Sequence, residues 1–401
     1  MRSMLVLVLV LVMVMGLPAV GLADWQFTES VVVSGKAVEG VFPHLEAAGR
    51  QSMAITGEGA VALVWEDNRS GQPGIYLATK APRAEHFTSS QALNRTGSAY
   101  EPAVTTADGG FVVAWEQDGK VLARRMDTEA GPITTLSEAG AQVTLATDEK
   151  GDVHAAWSEQ EGGVGRITVA GLVISAEGPA PREQRPADAE IPRGPQLYPT
   201  LAPVPGGPLL AWEDRRHGHT RLYMARPEEG GAFTEPKRLN ELPPAGNARF
   251  GRGSGVTRVA LASEGKLLAA TWMDKREFRG GYDIYAAVSR DGGQAFGPNE
   301  LAQDLFGENQ PQWHPDVAVS ARGRIVTAWD DPRDGTPDLW LSWRTGEGEW
   351  SSDITFEGGS GPGAQTHPVI EFEGERLHVA WLHRPENGPV EIRYSTAEWV
   401  E

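Results

Sequence analysis

No cysteine occurs among the 401 residues, so disulfides cannot stabilise the chain and a cysteine-linked lipid anchor is excluded. Positive charge is scarce: 36 Lys and Arg face 54 Asp and Glu, for a formal net charge of −18. Binding to nucleic acid or an anionic membrane rests on neutralisation by Lys and Arg, so those partners are disfavoured. Acidic glycans gain no long-range attraction either. The nine histidines are scattered, and no pair has the spacing of a zinc site; neither metal nor cofactor is expected. Long helices are also missing, because the apolar runs are short and β-branched, and 48 Gly and 28 Pro interrupt any helical period. One long hydrophobic run is present. Arg2 precedes an apolar stretch over residues 4–15, followed by Pro18 and small residues at Gly21-Leu-Ala23. That pattern predicts a signal peptide over residues 1–23, cleaved before Asp24. It implies a secreted or periplasmic protein, with no stable membrane insertion after cleavage. The remainder, 24–401, is expected to be a single domain and a monomer, long enough to bury ample apolar surface.

What the chain has is a repeat. A tryptophan closes a short apolar run seven times, at Trp65, Trp115, Trp157, Trp212, Trp272, Trp329 and Trp381, with spacings of 50, 42, 55, 60, 57 and 52 residues. A period of about 40–60 residues built from short strands marks propeller blades. Each unit holds four short runs separated by Gly, Pro, Asp and Asn. A four-stranded sheet cannot bury both faces alone, so the units stack radially. The reading is an all-β, seven-bladed β-propeller of antiparallel four-stranded blades. The last unit lacks an outer strand, whereas residues 25–33 precede the first unit without one of their own. The N-terminal strand is therefore expected to complete blade 7 and close the ring. Blade 3 is the weakest unit, and residues 174–196 read as a long loop between blades 3 and 4.

Two motifs recur. Ser289-Arg-Asp291-Gly-Gly293-Gln-Ala-Phe296 has the spacing Ser-x-Asp-x-Gly-x-x-aromatic, with worn copies at residues 229–233 and 346–350. It resembles the Asp box of the sialidase-like (BNR-repeat) propellers. That likeness implies a propeller in which the motif is a structural hairpin away from the active site. The second motif is Trp-x-Asp-x-Arg: Asp67 with Arg69, Asp214 with Arg216, Asp274 with Arg276, and Asp331 with Arg333. Sialidases place an acid and a substrate-binding Arg in comparable loops, but four copies in one chain point to a charge-assisted brace of each hairpin. The sialidase pattern also requires an Arg before the Pro near the first blade. Here Val41-Phe42-Pro43 stands in its place, which puts sialidase activity in doubt.

Inner strands begin at Phe42-Pro43-His44, Tyr100-Glu101-Pro102, Tyr198-Pro199, His314-Pro315 and His367-Pro368. Their side chains are expected near the channel mouth, as a polar lining or as ligand contacts. The segments that break the repeat are the better candidates for recognition. They contain Arg249 and Arg252, then Arg279 and Tyr282, then Trp313 and His314. Together with Tyr198 they are expected to share one face. The leading expectation is a non-catalytic module binding a glycan or an extracellular or envelope protein. The alternative is an exo-acting glycoside hydrolase of the sialidase-like class, using some pair of carboxylates such as Asp67, Glu101, Asp214, Asp274 and Asp331.

Overall fold

The computed structural model describes residues 24–400, apart from 36–37, 46–48, 50, 128, 229–230, 243–254, 277–280 and 308–309. The predicted signal peptide, Arg249, Arg252 and Arg279 therefore lie outside the described residues. Seven antiparallel sheets follow one another along the chain. Each innermost strand packs against the innermost strands of neighbouring blades around a common axis. The molecule is a seven-bladed β-propeller. Among the described residues the only helical element is a 3-10 turn at Leu305–Gly307.

The repeated tryptophans explain the stacking. Each stands on the second strand of its blade, and all seven are fully buried. The apolar clusters run from blade to blade: Trp272 of blade 5 packs with Leu209 and Leu222 of blade 4, and Trp115 of blade 2 with Val64 and Leu77 of blade 1. The tryptophans are thus the wedges between sheets.

Closure uses both chain ends. Asp24–Phe27 pairs antiparallel with the last strand, Glu391–Val400, in the register Asp24↔Val400 to Phe27↔Ala397. Val31 and Val32 then pair with Tyr394 and Arg393. Trp25 meets Trp399 at 5.3 Å and Trp343 of blade 6 at 6.3 Å, while Phe27 stacks on Phe356 at 4.0 Å. The N-terminal strand therefore supplies an edge to blade 7 and a side-chain seam to blade 6.

Blade 3 corrects the loop expected over residues 174–196. Its third strand runs Val164–Ser175 and its fourth Gly178–Pro186, joined by a tight hairpin with Gly178 at φ 105°. Prolines 179, 181 and 186 are tolerated because this is the outermost strand, where the ladder is one-sided. Blade 6 is the lean one: its sheet has three strands, and Ile354 contributes only a bridge to Leu341.

Residues 289–296 form the turn after the third strand of blade 5. The Asp291 carboxylate accepts the amides of Gln294 (2.8 Å) and Ala295 (3.1 Å), and Ser289 Oγ accepts that of Gly293 (2.9 Å). Gly293 has φ 78°, and a Cβ there would collide with Leu209, so glycine is required. Phe296 packs on the blade 4–5 core. The Gly292 amide donates to the Lys266 carbonyl in the first hairpin of the blade, which places this turn at the end opposite the inner-strand entrances.

Candidate functional site at the channel mouth

Six inner strands enter the ring through the same irregularity. Register shifts fall between Tyr100 and Ala103, Ala141 and Thr144, Leu197 and Thr200, Thr257 and Ala260, Trp313 and Asp316, and Thr366 and Val369. Each is a β-bulge, which inserts an extra residue and re-aims its side chain. The first bulged residues are Glu101, Gln142, Tyr198, Arg258, His314 and His367, all in the left-handed region at φ 50–59°. Non-glycine residues avoid that region, and such strain concentrates where structure serves a site. In four of the six the next residue is Pro (Pro102, Pro199, Pro315, Pro368), which needs no ladder donor. Blade 1 enters through the isolated bridge His44↔Glu66.

Five of the six bulged amides, those of Glu101, Gln142, Tyr198, Arg258 and His367, are taken by a side chain of the preceding blade. Glu213 Oε1 accepts the Arg258 amide (2.9 Å) and the Thr257 hydroxyl (2.6 Å); Asp330 Oδ1 accepts the His367 amide (2.9 Å). Glu66 and Glu116 serve Glu101 and Gln142 in the same way, and Gln142 Oε1 serves Tyr198 at 2.9 Å. Sequence reasoning missed this. The signal was present as an acid directly after the repeated tryptophan: Glu66, Glu116, Glu213 and Asp330.

A band of rings crosses this mouth over blades 5, 6 and 7 to the start of blade 1. Tyr282 meets Trp313 edge-on at 5.3 Å, Trp313 lies 6.4 Å from His314, His314 stacks on His367 at 3.6 Å, and His367 meets His44 at 5.6 Å. Trp313 is 37% exposed. Lys275 Nζ sits 4.0 Å over the Tyr282 ring, and Arg258 covers the Tyr198 ring at 3.9 Å. Of the residues singled out from the sequence, Tyr282, Trp313 and His314 are brought together. Tyr198 occupies the equivalent bulge two blades earlier.

Within the band, His314 Nδ1 is 2.7 Å from Asp330 Oδ1. Burial drives the Asp330 carboxyl above its ordinary range, opposed by the His314 hydrogen bond and the His367 amide. His314, Asp330 and His367 each offer a ligand atom within 4.8 Å of the others. No sequence spacing could announce this trio, because its members come from two blades.

Below the mouth lies an axial cavity of about 270 Å³, lined by inner strands of all seven blades, including Thr105, Thr147, Thr200, Asp316 and Glu371. Burial raises Asp316 to about 7; burial and then the Asp316 charge raise Glu371 to about 8. Asp316 Oδ2 accepts the Ile370 amide at 2.8 Å.

The four Asp–Arg pairs are built alike and occupy none of this cavity. In each, one carboxylate oxygen accepts the indole N–H of the preceding tryptophan at 2.9–3.1 Å. The other accepts the arginine amide at 2.8–3.0 Å, and the guanidinium closes on the same carboxylate. The guanidinium then covers a third-strand ring: Tyr76, Tyr223, Tyr285 or Trp340, at 4.1–4.6 Å. Blades 3 and 7 carry Glu159 and His383 in place of the Asp, and there the indole N–H of Trp157 and Trp381 has no partner.

No protein-family model and no curated protein matches this chain. Solved structures do. One, of a protein of unknown function from Dyadobacter fermentans, matches at TM-score 0.51 and 12% identity over 94% of this chain and 99% of its own. The Trypanosoma rangeli sialidase in complex with sialic acid matches at TM-score 0.50 and 10% identity, over 92% of this chain but 59% of its own. A Penicillium chrysogenum alpha-L-arabinanase complexed with arabinobiose gives 0.48 and 12%, over 92% and 98%. The first two likenesses show the β-propeller fold.

Proposed function

We propose that this protein is an exported, sialidase-like propeller of the Asp-box kind that binds a glycan at the channel mouth. The observation that carries the reading is the band of rings from Tyr282 to His44 on one rim. Sugar rings present C–H faces that stack on aromatic planes while their hydroxyls seek polar groups at the edges. Trp313 supplies such a plane. His314, Arg258, Tyr198 and Gln142 ring the same opening on consecutive blades. Sialic acid bound to a propeller of this fold supports the choice of a sugar. A binding role is favoured over hydrolysis because Asp67, Asp214, Asp274 and Asp331 are locked under arginines and away from the cavity.

A hydrolase reading retains one supporting observation, the pair Asp316 and Glu371 in the axial cavity. Two carboxyls with raised pKa values are the material of acid–base cleavage.

The test is a glycan array on residues 24–401, followed by titration of the strongest hit and a fluorogenic glycoside panel. Trp313→Ala should weaken binding about tenfold or more, the worth of roughly 1.4 kcal/mol. Its melting temperature should hardly move, because the side chain is partly exposed. Undiminished binding by Trp313→Ala would move the site off this rim. Turnover that disappears in Asp316→Asn and Glu371→Gln would establish the hydrolase instead.

A further inference from the structure

We infer that His314, Asp330 and His367 form a binding site for one divalent transition metal of the zinc class at the channel mouth. Three observations converge on it. First, the donor set is right: two imidazole nitrogens and one carboxylate oxygen lie within 4.8 Å of one another. Zinc bound at 2.0–2.2 Å to each ligand needs atoms about 3–4 Å apart.

Second, the carboxylate is held in place. Asp330 is 2% exposed, and its Oδ1 accepts both the His367 amide (2.9 Å) and the His314 ring N–H (2.7 Å). A fixed, buried carboxylate beside two histidines forms a negative niche in which a cation replaces the shared proton.

Third, the bulge that six inner strands share sets the two histidine rings face to face on neighbouring blades. His314 and His367 hold φ 52° and 56°, and their rings stack at 3.6 Å with 21° between planes. His44 meets the His367 ring edge-on at 5.6 Å.

The preferred metal follows from the donors. Imidazole nitrogen with one carboxylate selects zinc and its transition-metal neighbours over calcium or magnesium, which take oxygen.

The experiment uses untagged residues 24–401, stripped with chelator and titrated calorimetrically with zinc chloride, then with calcium chloride. One zinc per chain at micromolar affinity or tighter is expected, with calcium at least tenfold weaker. His367→Ala and Asp330→Asn should each lose about tenfold or more. His314→Phe keeps an aromatic stack while removing a donor; loss of zinc with an unchanged melting temperature would separate ligation from folding. Absence of zinc binding by the wild-type protein at 100 μM, or retention of full affinity by His314→Phe and His367→Ala, would overturn the site. Because the readout is metal alone, its failure leaves glycan binding at the rim untouched, and the reverse holds.

Discussion

A single carboxylate organises each Trp-x-Asp-x-Arg corner, and what else its arginine holds decides the cost of losing it. Arg216 also binds Asp188 at 2.7 Å, whereas among the described residues the Arg69 guanidinium hydrogen-bonds, besides Asp67, to Ser90 Oγ (2.8 Å) and the Ser34 carbonyl (3.2 Å). Asp214→Ala should therefore cost about 1–3 kcal/mol, the range for orphaning buried donors. Asp67→Ala should cost more, because the Arg69 guanidinium keeps no second carboxylate among the described residues. Urea unfolding of both variants checks the order; equal losses would mean the second acid contributes nothing. Burial alone would lift the Asp214 pKa, yet the hydrogen bonds from Arg216 and Trp212 overcome it and hold the carboxyl below its ordinary value. Its contribution is present above about pH 4 and is lost as pH falls through the folded value. Asp316 and Glu371 behave oppositely. Their folded pKa values of about 7 and 8 exceed the unfolded ones, so the folded state binds extra protons. Stability from them is complete at low pH and declines as pH rises from about 4 through 8. Asp316→Asn with Glu371→Gln should leave stability near wild type at about pH 3 and raise it at about pH 9, by about 1 kcal/mol or more per carboxyl. A melting-temperature gap that does not widen with pH would refute this. The Asp–Arg spacing was visible in the sequence because it recurs at a fixed distance from a tryptophan. The stacking of each arginine on a ring seven to nine residues later was not, since that contact needs the third strand in register.

At the scale of the strand, the repeated bulge is the device that turns a regular ladder into a site. Its prolines were legible: Pro102, Pro199, Pro315 and Pro368 mark strand starts. Its backbone was not, because nothing about Gln142 or Arg258, which lack a following proline, announces a left-handed residue. Gln142 tests the strain directly, with φ 59°. Both Gln142→Gly and Gln142→Val remove the acceptor for the Tyr198 amide, so that loss cancels between them. Gly relaxes at positive φ, while a β-branched side chain cannot. The Val variant should be less stable than the Gly variant by about 1–3 kcal/mol. Equal melting temperatures would show that the bulge relaxes without cost. Blade 3 shows the reverse failure of legibility. Its outer strand, Gly178–Pro186, is rich in Pro, Glu and Arg, so residue preferences argue for a loop, and only pairing with Val164–Ser175 makes it a strand.

Across the whole molecule, seven equivalent blades create a problem that the ends of the chain solve. A ring built from one chain must join its last blade to its first, and a seam made only of side chains would leave strand edges open. Here residues 24–33 are hydrogen-bonded to the last strand by backbone, from Asp24↔Val400 to the Val33 amide on the Ile392 carbonyl at 2.8 Å. The same segment drives Trp25 between Trp343, Phe372 and Trp399, under Arg324 at 5.4 Å. The seam is thus both a ladder and an aromatic plug between blades 6 and 7. The two effects are separable. Trp25→Ala keeps the ladder and should cost about 3–5 kcal/mol, as for other buried tryptophans, with the elution volume unchanged from wild type. Deleting residues 24–33 removes both. It exposes the edge of Glu391–Val400 together with Trp343, Phe356 and Trp399, and should yield a protein that aggregates or melts far below wild type. Size-exclusion chromatography with calorimetry distinguishes the outcomes. A deletion variant that stayed monomeric with an unchanged melting temperature would mean that the ring holds without its N-terminal strand. The channel mouth depends on this closure, because His44 of the first blade meets His367 of the last across the same seam. Glycan binding should therefore weaken in the deletion variant even where folded protein survives.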